Sequence, residues 1–84
     1  MDKWYKEIDK YLALLKTVTT EEDYENILKS HNKWKEYQET EFTAVSIIAD
    51  KQGTMFQNSA VGAKSDIVKL RALELQNLYS ILVY

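Results

Sequence analysis

The sequence contains no cysteine and no proline, and it has only two glycines, Gly53 and Gly62. Without cysteine a disulfide framework is excluded, and a single histidine, His31, leaves very few ligands for a zinc site. Proline and glycine are the residues that most often interrupt helices. Their scarcity therefore favours long helices that are held together by apolar packing.

Long apolar runs are also missing. No stretch of about 18 apolar residues occurs, so no membrane-spanning helix is predicted, and residues 1–5 carry no apolar core of a signal peptide. Eleven Lys and Arg residues against thirteen Asp and Glu residues give a net charge of -2. Nucleic-acid-binding surfaces are usually basic, so we expect no nucleic acid partner. A mildly acidic protein is better suited to a cationic partner.

The hydrophobic spacing predicts an all-α domain, an antiparallel bundle of three principal helices that all face one core. The first helix is predicted over residues 2–16. The second is predicted to begin at a capping box, in which Thr19 caps the helix and Glu22 reaches back, and to run to about residue 49. This second helix is unusually long for a small domain.

The connection between the second and third helices is predicted from the two glycines. Residues 50–54 should form a turn in which Gly53 takes a left-handed conformation. A short helical turn could follow over residues 55–61, and Gly62 could break or bend it. The third helix is then predicted to start at residue 65 or 66, capped by a serine or an aspartate, and to run to about residue 82.

Apolar side chains recur at three- and four-residue spacing in each predicted helix. In the first they are Trp4, Ile8, Tyr11, Leu12 and Leu15; in the second Tyr24, Ile27, Leu28, Trp34, Val45 and Ile48, flanked by Tyr37 and Phe42; in the third Ile67, Leu70, Leu73, Leu75, Leu78, Ile81 and Leu82.

Three polar side chains, His31, Gln38 and Glu41, interrupt the stripe of the second helix. A buried carboxylate is costly unless it is paired, and Arg can bind a carboxylate through two hydrogen bonds. Arg71, the only Arg of the chain, is therefore expected to pair with Glu41 or Glu39 and to fix the packing of the second and third helices.

The sequence contains no pattern typical of a catalytic or metal site. None of the residues three or four positions from His31 is a metal ligand, so His31 is interpreted as a core or boundary histidine. Glu36, Glu39, Glu41 and Asp50 lie on one helix or at its end, where a solvated acidic face is the default. No phosphate-binding glycine loop is present. We therefore expect a non-enzymatic protein without cofactor or metal.

The many aromatic residues favour a protein-binding role, because three small helices cannot bury all of them. Trp4, Tyr5 and the segment 82–84 are candidates for exposed contact residues. Alternatively, these side chains close the open ends of the bundle or contact a segment that is not part of this chain.

Four segments share residues with a known family of small bacterial domains. They are residues 1–8, similar to a Leu-Asn-x-x-Tyr-x-x-Leu opening with Met1 for Leu and Asp2 for Asn; residues 32–41, similar to Gln-x-x-Trp-x-x-Tyr-Arg-Asp-x-Glu; residues 53–55, at a Gly-Ser turn; and residues 70–75, similar to Thr-x-x-Arg-x-x-x-Leu. On these segments the chain resembles the LprI-type lysozyme inhibitor family. The signature residues are Trp34, Tyr37, Glu41, Gly53, Arg71 and Leu75.

The chain also departs from the family pattern. Family members usually carry a pair of cysteines, whose places here are taken by Phe42 and about Ala63, and Gln38 replaces the Arg that follows the Tyr. We expect packing of Phe42 to replace the disulfide. The family also has an acidic, cysteine-containing segment upstream. The resemblance therefore implies that residues 1–84 are one domain that lacks this upstream segment.

The resemblance implies a function in the bacterial envelope, in a periplasmic, secreted or lipid-anchored protein that binds and blocks a lysozyme. Lysozymes are commonly cationic, and Glu36 and Glu39 are candidates for charges that steer the encounter. The turn formed by Asp50, Lys51, Gln52, Gly53 and Thr54 is the candidate element for entering the substrate cleft. The alternative is a helical protein-interaction or scaffold module of the envelope with no lysozyme activity. The sequence does not predict the oligomeric state.

Overall fold

The computed structural model describes residues 1–52 and 57–83, and these residues form three helices and no strand. The helices are α1 (Asp2–Val18), α2 (Glu21–Gln52) and α3 (Gln57–Val83). Cross-helix contacts show that α1 and α3 run parallel and that α2 runs antiparallel to both. The predicted all-α fold with three principal helices and a long central helix is thus confirmed.

The α1–α2 turn contains a threonine cap one residue later than predicted. The amide nitrogen of Asp23 donates to the Oγ1 atom of Thr20 at 3.1 Å, so Thr20 caps α2. Thr19 has an extended backbone after α1, and its hydroxyl donates to the carbonyl oxygen of Leu15 at 2.7 Å. The prediction of Thr19 as the cap was wrong because α1 extends to Val18 and uses Thr19 at its own C-terminal end.

Helix α3 begins earlier than the glycine pattern predicted. Its first residue is Gln57, so Gly62 lies inside a helix, as do Ser65 and Asp66, which were predicted to start it. Gly62 is exposed, and a Cβ atom built on it would meet no atom within 4 Å. One exposed glycine costs a helix only about 1 kcal/mol relative to alanine, which a helix of this length can absorb. Of the short helical turn predicted over residues 55–61, residues 55 and 56 lie outside the described residues.

The main cluster of buried apolar side chains comes from α1 and α3. Its members are Ile8, Leu15, Val68, Ala72 and Leu75. Helix α2 contributes half-buried side chains at the edge of this cluster, namely Ile27, Trp34 and Phe42. All three helices face this core, as predicted, and α2 does so with half-buried side chains.

Helix α3 packs against both other helices. Helix α1 packs closely against α3 and makes few contacts with α2, whereas α2 packs mainly on α3. The side chain of Ala72 is small and lies in the core cluster, which allows close approach of two helix backbones.

The hairpin of α2 and α3 projects beyond the start of α1. The Tyr5 hydroxyl on α1 meets the Gln38 side chain, so the residues of α2 after about Phe42 have no α1 beside them. In this projection Ala49 and Ala60 are buried. The molecule is accordingly elongated, measuring 48 × 20 × 17 Å.

The apolar side chains of α3 lie on two faces of the helix. Leu75 is fully buried, but Leu70 is 60% exposed and Ile81 is 74% exposed. On α2, Ile48 was predicted to lie on the stripe that faces the core, and it is 63% exposed. Among the described residues, no helix is both long enough and apolar enough to span a bilayer.

Candidate functional site

Two buried polar side chains mark the face of α2 that packs on the other helices. His31 and Gln38 are 4% and 9% exposed, and each makes a hydrogen bond to a different helix. They lie two helical turns apart, so they project from the same face of α2. His31 and Gln38, called the polar seam below, lie where a core helix usually carries leucine or isoleucine.

His31 is joined to α3 by the buried guanidinium of Arg71. The Nε atom of Arg71 donates to the Nδ1 atom of His31 at 3.2 Å, and its Nη1 atom donates to the Oε2 atom of Glu74 at 3.1 Å. The partner carboxylate is therefore Glu74, one turn along α3. The predicted pairing of Arg71 with Glu41 or Glu39 was wrong, because the guanidinium contacts His31 on α2 and Glu74 on α3 instead.

Trp34 completes this cluster. Its ring stacks on the imidazole of His31, with ring centroids 5.2 Å apart and an angle of 15° between the planes. The guanidinium carbon of Arg71 lies 5.9 Å from the Trp34 ring centroid, within the range of a cation–π contact. A sequence spacing of three residues places His31 and Trp34 side by side on one face of α2. The three side chains therefore fix α2 on α3 by directional contacts.

Gln38 provides the corresponding link to α1. Its side-chain amide donates to the hydroxyl of Tyr5, and burial raises the pKa of that hydroxyl. This hydrogen bond joins α1 directly to α2. Gln38 therefore has a structural role in joining the two helices.

The pKa of His31 is lowered to about 4. Burial of the imidazole is the largest cause, the charges of Arg71 and Lys35 act in the same direction, and Asp9 opposes them. Protonation would remove the Nδ1 acceptor that Arg71 uses and would place two cations together. His31 is therefore neutral in the folded protein at neutral pH.

We expect acid to destabilise the fold through His31. The pKa of His31 in the folded protein lies below the unfolded value of about 6.5, so the unfolded chain binds more protons between about pH 6.5 and about pH 4. The stability that the neutral His31 contributes is therefore fully present above about pH 6.5 and is lost as the pH falls towards about 4. Between about pH 7 and pH 4.5 this loss should be about 2 kcal/mol. Urea unfolding of the wild type and of His31→Gln at both pH values measures the difference. Equal pH slopes in the two proteins would contradict a neutral, buried His31.

The cluster around Arg71 is built to hold helices together. Its buried polar atoms all have hydrogen-bond partners in the described part of the chain. Within residues 1–52 and 57–83, no three His, Asp or Glu side chains are grouped so that they could hold a metal ion. The cluster therefore links α2 to α3 through side chains whose buried polar atoms have hydrogen-bond partners.

The predicted partner-binding carboxylates lie on the outer side of α2, away from the polar seam. Glu36 and Glu39 are both exposed. Glu36 pairs with Lys33 at 3.4 Å, in a contact in which both side chains remain largely in solvent and which therefore contributes little stability. Asp50 and Lys51 are exposed at the end of α2.

Of the remaining residues of the predicted turn, one belongs to α2 and two lie outside the described residues. Gln52 is the last residue of α2, so α2 runs three residues past the predicted end. Gly53 and Thr54, the proposed tip of the turn, lie outside the described residues.

Beside Glu39 the outer side of α2 has a shallow, open depression. It is lined by Glu39, Thr40, Thr43, Ala44 and Ile47. The hydroxyls of Thr40 and Thr43 donate to the carbonyl oxygens of Glu36 and Glu39, both at 3.0 Å, so their protons are already used within the helix. The depression is thus open to solvent and does not form an enclosed cavity.

The signature residues of the family resemblance are only partly brought together. Trp34 and Arg71 share one cluster, and Leu75 is buried in the core. Tyr37 is 53% exposed, and Glu41 is half-buried. Phe42 does pack against the core, with the Lys64 ammonium 5.6 Å from its ring, which agrees with the packing role predicted for it.

No family model, curated protein or solved structure matches this chain. The function is therefore argued from the side chains and their arrangement.

One exposed surface was not recognised in the sequence, the apolar outer side of α3. The sequence does indicate this surface, because its apolar residues are too widely spread around the helix for one narrow stripe. Leu70 and Leu73 lie on a different side of α3 from Leu75 and Leu82. Apolar residues on both sides of a helix indicate a second contact surface. Trp4 and Tyr5, in contrast, were candidates for exposure and are half-buried.

Proposed function

We propose that this domain is a non-enzymatic protein-binding module that binds a cationic protein through the exposed side of α2. The observation that carries the proposal is the composition of residues 36–50, which contain four carboxylates and no Lys or Arg. Exposed apolar side chains lie among these charges, with Tyr37 at 53%, Ile47 at 49% and Ile48 at 63% exposure. Exposed aromatic and aliphatic side chains among carboxylates suit a partner of opposite charge.

The resemblance to LprI-type inhibitors suggests a lysozyme as this cationic partner. In this proposal Glu36 and Glu39 guide the encounter, and the end of α2 with the following turn approaches the substrate cleft. Asp50 and Lys51 are exposed at that end, which leaves them accessible to a partner. The proposed location in the periplasm, or in a secreted or lipid-anchored protein, also rests on the resemblance.

Binding and inhibition can be tested together. The purified chain is titrated into hen and human lysozyme in a calorimeter, and residual lytic activity is measured on the same mixtures. Binding with loss of lytic activity supports the inhibitor proposal. Binding without inhibition supports the protein-binding module but contradicts blocking of the cleft. Unchanged inhibition by the Asp50→Lys, Gly53→Arg double variant would exclude the turn as the blocking element.

We expect Glu39→Lys to weaken binding to lysozyme by about fivefold, since a surface charge contact contributes roughly 1 kcal/mol or less. The effect should appear mainly in the association rate and should shrink at high salt. Glu25→Lys is the matched control, because Glu25 is also exposed on α2 and the charge change is identical. Equal effects of the two variants would mean that net charge, and not the surface around Glu39, determines binding.

A helical interaction or scaffold module with no lysozyme activity is the second candidate. The observation that favours it is the exposed apolar side of α3, which carries few charges and lies away from the acidic segment of α2. Absence of lysozyme binding at tens of micromolar, together with association through α3, would favour this candidate.

A further inference from the structure

The side of α3 that faces away from the core carries four large apolar side chains that the other helices leave uncovered. Leu70, Leu73, Leu78 and Ile81 are 60%, 38%, 42% and 74% exposed. With about 100° of rotation per residue, Leu70, Leu73 and Ile81 point away from the buried Leu75, and Leu78 lies at the edge of the same surface. These four residues are called the α3 outer face below.

We propose that the α3 outer face is the interface of an antiparallel homodimer. The four side chains expose roughly 400 Å² together, which is within the range of the largest apolar patches of soluble monomers, and such patches often mark interaction sites. Two such faces and the polar residues between them would bury on the order of 1,000 Å², the lower limit for a specific interface. The dimer is therefore weak and forms in the micromolar range.

The polar residues on the same surface select the antiparallel direction. Glu74 and Asn77 are both exposed between the apolar side chains. In a parallel pair each Glu74 would face the Glu74 of the second copy, which like-charge repulsion disfavours. In an antiparallel pair Glu74 faces Asn77 of the second copy, whose amide can donate to the carboxylate. The Oε2 atom of Glu74 already accepts a hydrogen bond from Arg71, and the carboxylate can accept another from a second donor.

The same arrangement aligns the apolar side chains. With the twofold axis between positions 75 and 76, Leu70 of one copy faces Ile81 of the other, and Leu73 faces Leu78. Each contact occurs twice, as a symmetric interface requires. All four exposed apolar side chains are then covered, and no charge faces a like charge.

The proposed dimer uses a different helix from the proposed lysozyme-binding surface. The acidic segment lies on α2, whereas the α3 outer face lies on α3. Failure of one proposal therefore leaves the other open to its own test.

The association of the full chain is measured by sedimentation equilibrium from about 5 to about 500 μM, the range in which a weak dimer dissociates. We expect the mass to rise from 9.9 kDa towards twice that value with concentration. A mass that stays at the monomer value throughout would overturn the proposal.

Charge substitutions at facing positions test the register. Leu70→Lys and Ile81→Glu each place a charge against an apolar side chain, so each alone should raise the dissociation constant by more than about tenfold. In the double variant Lys at position 70 faces Glu at position 81 of the second copy. We expect it to associate more tightly than either single variant. In a parallel dimer like charges would meet, so weaker association of the double variant would overturn the antiparallel pairing.

Ile48→Lys is the control, because Ile48 is 63% exposed on α2, comparable to Leu70. Unchanged association of this variant supports the α3 outer face. Association that is lost in Ile48→Lys and retained in Leu70→Lys would overturn it. Circular dichroism confirms folding of every variant, since all three substituted positions are exposed.

Discussion

Leu75→Ala should lower the free energy of unfolding by about 3 kcal/mol, because Leu75 is fully buried and its removal leaves a cavity that the helices fill only in part. Leu75 lies in the cluster formed by α1 and α3, so its loss weakens the closest helix pair of the domain. Urea unfolding followed by circular dichroism measures the change. For a small domain of marginal stability, this loss is a large share of the total.

Leu70→Ala is the matched comparison, since the same substitution is made on the same helix at a 60% exposed position. At low micromolar concentration, where the proposed dimer is dissociated, it should change the stability by less than about 0.5 kcal/mol. Similar losses for the two variants would mean that the buried face of α3 has been wrongly assigned.

Arg71→Ala should also cost about 3 kcal/mol. The substitution removes the donor to the Nδ1 atom of His31 and the cation beside Trp34, and it leaves buried polar atoms without partners. The comparison with Arg71→Lys separates charge from geometry. Lysine keeps a cation but cannot bridge His31 and Glu74 with a rigid fork, so we expect it to restore only part of the loss.

A double-mutant cycle with His31→Ala and Arg71→Ala measures the contact itself. We expect a coupling free energy of about 1–2 kcal/mol, the range for residues that share one hydrogen-bond network. Additive effects would show that the bond between the Nε and Nδ1 atoms contributes nothing to holding α2 on α3.

The number and type of helices could be predicted from the sequence because proline is absent, glycine is scarce and apolar residues recur at three- and four-residue spacing. The stripe of α1 is the simplest case, since Ile8 and Leu15 are buried as their spacing indicates. The boundaries were less predictable. Thr19 and Thr20 are adjacent and chemically equivalent, so the sequence alone could not show which hydroxyl caps α2.

The polar contacts depended on which side chains meet across helices. Arg71 was expected to link the second and third helices, and it does so, but its partners are a histidine on α2 and a carboxylate on its own helix in place of Glu41 or Glu39. Periodicity identifies the face on which a residue lies, but the order of helices around the core decides its neighbours. The exposed carboxylates Glu36 and Glu39 were predictable because charged residues outside an apolar stripe face solvent.

Helix α3, on which both other helices pack, is synthesised last on the ribosome. Helix α1 finds its main partner in α3, which is made after the whole of α2. A nascent chain that contains only α1 and α2 has almost no buried apolar cluster, since Val68, Ala72 and Leu75 are still missing. Such a chain has little to hold it in a compact state until α3 emerges. The core therefore depends on contacts between residues that are far apart in the chain, although the fold itself consists only of helices.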